Sequence, residues 1–267
     1  AEVCVLVETP EQARVALKAG ADRLYATSDA LAETSWPEDL LAKVTPWLDE
    51  VCREIAHKRL DPYVAAGKPI AVGNISELAL AVERGAIPEV RECIPVHNDY
   101  ALQALADMGA EGVWLNSELT LQEICHLARN ASIPVGYMVS GRIRTMTTEH
   151  CILMSTGKCI HDCDACKLRL EEHTLRGIDN DYMPVRTDRH GRSKIWSPKL
   201  FDGVPEMAEM LSAGVKRFMV DATLLSTEQT REATSRVAAA IAATASGASM
   251  PARLKEASVG HLFSPNG

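Results

Sequence analysis

Residues 100–139, YALQALADMGAEGVWLNSELTLQEICHLARNASIPVGYMV, decide the fold class. Apolar residues recur at helical spacing from Tyr100 to Met108, and Gly109 then offers the left-handed end a helix needs before a strand, because it has no Cβ. Gly112–Leu115 is a short apolar run of strand length. Thr120 opens a second helical pattern that lasts to Asn130, and Ile133–Val139 is again strand. Bare apolar strands separated by crossover helices belong to a parallel sheet buried on both faces.

The same alternation extends in both directions. Further strands are predicted at Val3–Val7, Arg23–Ala26, Pro69–Gly73, Ile94–His97, Met183–Thr187 and Arg217–Val220, which makes eight. Helices are predicted at Pro10–Ala19, Glu38–His57, Ser76–Arg84, Val204–Ser212 and Thr227–Thr244, with Gly20, Gly85 and Gly214 in the same post-helical position as Gly109. Eight βα units predict an α/β protein with a TIM-like (β/α)8 barrel, and a doubly wound open sheet is the alternative. The 267 residues fit one such barrel domain over 1–267. The interruption is 141–182, a cysteine-rich segment after the sixth predicted strand that shows neither periodicity and reads as a long loop. Loops leaving the carboxyl ends of barrel strands build the active face, so chemistry is expected there.

Composition narrows the class. Hydrophobic residues make up 46% and charged residues 24%, which excludes a disordered chain; aromatics at 4% leave the core to Ala, Val, Leu and Ile. The formal charge of −8 argues against a basic surface throughout. From Arg142 to Lys199, however, 11 Lys or Arg face 8 Asp or Glu, and four of the eight histidines lie there, so an anionic partner would be met in this segment. No run of 18 apolar residues exists, and the start AEVCVLVE carries no signal peptide, so the expectation is a cytoplasmic protein with no membrane partner. The missing initiator Met reads as a processed end or as part of a longer chain with further domains. Eight cysteines in that setting read as thiols or metal ligands.

Four cysteines fall within EHCILMSTGKCIHDCDACKLR: Cys151, Cys159, Cys163 and Cys166. Four thiolates in 16 residues converge on one ion only if the chain turns back, and Gly157 in the polar STGK run supplies a turn. The pattern points to metal. A four-iron cluster tolerates this spacing and can leave one iron open to substrate; zinc is the alternative, although only Cys163 and Cys166 form a short knuckle. His161 is a substitute ligand. Cys4, Cys52, Cys93 and Cys125 sit in strand or helix patterns and read as packing residues.

Glu149 and His150 precede Cys151 and are candidates for proton transfer or, equally, for a salt bridge or hydrogen bond behind a metal ligand. In MPVRTDRHGRSKIW, Arg186, Arg192 and Ser193 are candidate substrate binders and Asp188 a candidate catalytic carboxylate, whereas Arg189 reads as charge neutralisation. Arg142 and Arg144 leave the sixth predicted strand toward the same face. A G-x-S-x-G elbow, an HExxH helix, a P-loop and a dinucleotide glycine fingerprint are all absent from the sequence.

TEHC at 148–151 with the following cysteines, MPVRTD with RS at 192 and 193, GHLF at 260–263, and IPVHNDYALQALADMGAEGVWLNSELTLQEI at 94–124 together resemble the U32 peptidase (collagenase-like) family over most of the chain. The resemblance implies a β/α barrel and an iron-sulfur cluster. The family is named for proteolysis, but its better understood members are hydroxylases of tRNA, ribosomal RNA or ubiquinone precursors. It therefore implies a small anionic or aromatic substrate or RNA, with a small anionic co-substrate; the alternatives are a peptidase with a structural metal and a non-catalytic barrel binding RNA or a partner. Two departures stand out. The position after the PV-x-x-D strand where the family commonly draws a cysteine falls near Gly191 and Arg192, so the quartet is expected to be rebuilt within one loop or exchanged for zinc. The ending GHLFSPNG also lacks a basic or glycine-rich continuation.

Overall fold

The computed structural model describes all residues except 52–59, 163–164, 170, 179, 189 and 265–267. In chain order its first half contains β1 (Glu2–Val7), α1 (Pro10–Lys18), β2 (Arg23–Thr27), α2 (Ser28–Glu33), α3 (Glu38–Leu41), β3 (Val44–Trp47), β4 (Pro69–Val72), α4 (Ile75–Glu83), β5 (Ile87–Val90), α5 (Asp99–Asp107), β6 (Gly112–Trp114), α6 (Leu121–Asn130) and β7 (Val135–Gly141). There follow β8 (Arg144–Thr148), β9 (Glu172–Arg176), β10 (Tyr182–Thr187), β11 (Ser193–Trp196), β12 (Phe201–Asp202), α7 (Met207–Ala213), β13 (Arg217–Asp221) and α8 (Thr227–Ser246).

The chain divides into two compact units. One comprises Ala1–Gly141, Asp202–Lys255 and the tail from Val259; the other comprises Arg142–Phe201 with Glu256–Ser258. In the first, β1 to β7 and β13 pair in parallel, each with the next, and β13 returns to β1, so the ring closes on eight strands. This is the (β/α)8 barrel expected from the βα alternation. Helix starts follow local chemistry: Thr9 with Gln12, Thr120 with Glu123 and Ser226 with Gln229 form reciprocal capping boxes. Gly20, Gly85, Gly109 and Gly214 all have positive φ.

Inside the barrel, Cys4, Leu6, Tyr25, Trp47, Ala71, Trp114 and Met219 form one buried cluster. Tyr25, Trp47 and Trp114 meet edge to face with centroids 5.3 to 5.9 Å apart. Such pairs add about 0.5–1.5 kcal/mol each beyond burial. Few aromatics suffice because three of them share this one space.

Three predicted elements move. Ile94–His97 is not a strand; the fifth barrel strand is Ile87–Val90, whose Pro88 and Glu89 disguise it as a loop. Glu89 is nonetheless buried, because Arg23 and Arg217 approach one carboxylate oxygen at 3.1 and 2.9 Å while the Tyr25 hydroxyl and the Trp114 indole donate to the other. The predicted helix Glu38–His57 is a single turn, α3, followed by β3, with Pro46 inside the strand; the rest of the predicted helix, from residue 52, lies outside the described residues. Met183–Thr187 is a strand, but an antiparallel one outside the barrel. With β3 added, the cysteine-rich segment leaves the seventh barrel strand rather than the sixth.

Nor is 141–182 a loop throughout. β8 and β9 form there, and the second unit is a four-stranded antiparallel sheet ordered β8-β11-β10-β9. Its short strands, RTMTT, EHTLR, YMPVRT and SKIW, lack the apolar alternation that marks a strand in sequence.

A candidate metal centre in the second unit

The sheet register sorts the candidate residues by face. Thr148, Ser193 and Thr187 lie in one cross-strand row, and Thr147, Lys194, Arg186 and Glu172 in the adjacent one. Successive residues of a strand point to opposite faces, so Ser193 and Arg186 project away from each other. They cannot bind one small substrate together.

The Ser193 face carries the cysteine segment. Ser193 is fully buried, its Oγ accepts from the Ile152 amide at 3.2 Å, and it lies 2.9 Å from Thr187 Oγ1. This fixes the residue after Cys151, which begins the short 3₁₀ turn Ile152–Thr156; Leu153 is buried beneath that turn, and Gly157 ends it at φ 69°. The predicted turn at STGK is therefore present. The hydroxyl predicted to meet substrate is instead an internal tie.

Cys151, Cys159 and Cys166 are free, partly exposed thiols, and Cys163 lies outside the described residues. Cys159 Sγ is 3.9 Å from His161 Nδ1, which brings the proposed substitute ligand beside one thiol. Among the described residues, no three His, Cys, Asp or Glu side chains are arranged to hold a metal ion. Cys4 and Cys125 differ in kind: both are buried, and burial pushes both thiols above their ordinary value. They are packing residues. The Cys93 thiol is 3.3 Å from the Gly73 carbonyl oxygen, to which it donates, and Cys52 lies outside the described residues.

The turn between β10 and β11 is organised by Asp188. Its carboxylate accepts from the His190 and Arg192 amides at 2.8 and 3.0 Å and from Arg192 Nε and Nη2, both at 2.7 Å, with both side chains almost wholly buried. Asp188 and Arg192 thus serve each other and the turn; Arg189 lies outside the described residues. Arg186 Nη2 reaches 4.0 Å from Glu172 Oε2, Arg142 donates to the Ser197 carbonyl at 2.9 Å, and Arg144 stands opposite Trp196. Glu149 and His150 are exposed beside Cys151, and the His150 amide donates to Thr148 Oγ1.

Arg169, within CKLRLEE, looks like part of a solvated charge run, yet it is only 7% exposed. An ideal Cβ placed on Gly191, whose φ is +79°, would lie 3.2 Å from Arg169 Nη2 and 3.8 Å from Cys151 Cβ. The guanidinium and the first cysteine therefore flank the same small space, left open by a glycine.

The ring of eight parallel strands places the first unit among the (β/α)8 barrels. Solved structures agree at the level of fold: "Native KDPGal structure" matches with a TM-score of 0.52 at 13% identity, covering 91% of this chain and 96% of that one. A designed cube-shaped protein cage built from fused symmetric oligomeric domains matches with a TM-score of 0.53 at 12% identity, over 92% and 74%. No curated protein matches the sequence. The model of Peptidase family U32 matches residues 91–261, more than half of the chain and including the whole cysteine segment. The chain belongs to that family.

Proposed function

We propose that this chain is a U32-family iron-sulfur enzyme in which Cys151, Cys159, Cys163 and Cys166 hold a four-iron cluster, and that it hydroxylates RNA or a small anionic or aromatic substrate. The observation that supports the reading best is the division among the cysteines. Cys4 and Cys125 are sealed in the barrel unit and Cys93, though partly exposed, donates to the Gly73 carbonyl, whereas the three described thiols of the quartet are free, partly exposed and carried on one segment of the second unit. Partly exposed thiols amid polar residues are the donor set a cluster takes, and buried thiols in apolar surroundings are not.

When bound, such a cluster supplies electron transfer, or an open iron site for a substrate atom. The chain's own residues do the rest. The Ile152–Ser193–Thr187 ties set the backbone that carries Cys151. Glu149 and His150, exposed next to that cysteine, are placed for proton transfer. Arg142 and Arg144 are the cations assigned to an anionic substrate, and Arg192 is withdrawn from that role by its pairing with Asp188.

Purification without air, followed by iron and acid-labile sulfide analysis, tests the reading. About four iron and four sulfide per chain is the expected result. A colourless protein with one zinc and no iron would refute it and leave the metal structural. If the cluster is present, replacing Cys151 by Ala should abolish iron uptake, whereas replacing Cys125 by Ala should leave it unchanged.

A further inference from the structure

We draw no further inference here: the strongest candidate, the side-chain cluster of His97, Asn116 and Glu118 in the loops that follow the barrel strands β5 and β6, carries nothing, because Asn116 Oδ1, the buried polar atom there without a partner among the described residues, is sealed from solvent and nothing in the structure shows a ligand that would reach it.

Discussion

Ser193 illustrates how much hangs on single polar atoms. Its Oγ is the acceptor for the half-buried Ile152 amide, so Ser193→Ala removes that bond and should cost about 0.5–1.5 kcal/mol, read by chemical denaturation, with faster exchange of the Ile152 amide hydrogen. Asp188→Asn is the harsher change. It removes the carboxylate that pairs with the buried Arg192, and loss of about 3–5 kcal/mol is expected. The turn at Gly157 is legible in the sequence because a glycine in a polar run marks one, whereas the short spacing of the four cysteines leads only as far as the metal proposal above. Ser193, Asp188 and Arg192 stand out in the sequence by type, whereas their contacts to Ile152, to the turn and to each other do not. Their types suit substrate binding and turn-building equally, and only the register, which a sequence does not print, separates the two.

The elements were legible where the hydrophobic effect acts through periodicity. Helices α1, α4, α5, α6, α7 and α8 lie within three residues of their predicted positions, and six of the eight barrel strands match predicted ones. The two that were missed, β3 and β5, carry Pro46, Pro88 and Glu89, residues that strand patterns reject. Glu89 is acceptable only because β2, β6 and β13 bring it Arg23, Tyr25, Trp114 and Arg217 from distant sequence. The strands also leave room for one another's side chains. A Cβ on Gly136 of β7 would come within 2.6 Å of the Trp114 ring. Gly136→Ala should therefore destabilise the barrel by about 1–3 kcal/mol and alter the near-ultraviolet circular dichroism of the tryptophans.

At the scale of the whole molecule, the barrel interior sets how the protein meets alkali. Burial holds the Tyr25 hydroxyl well above its ordinary value, with the Glu89 carboxylate adding to the effect, and burial likewise raises the Cys4 thiol. Both groups keep their protons in the folded state at pH values where the unfolded chain releases them. Their contribution is complete below the unfolded values, near pH 9 for the thiol, and is lost as pH rises toward the folded ones. Stability should thus hold to about pH 9 and then fall, and Tyr25→Phe should flatten the fall, as followed by urea midpoints across pH. The ring itself has a further consequence, for synthesis on the ribosome. Its closing strand, β13, is the partner of both β1 and β7, yet it is made only after the cysteine-bearing segment Arg142–Phe201 has emerged. Until then the nascent barrel has two raw edges, each a template for a stray strand. A chain stopped at Phe201 should accordingly self-associate on size-exclusion chromatography, while the unit that carries the thiols already has all four strands of its sheet.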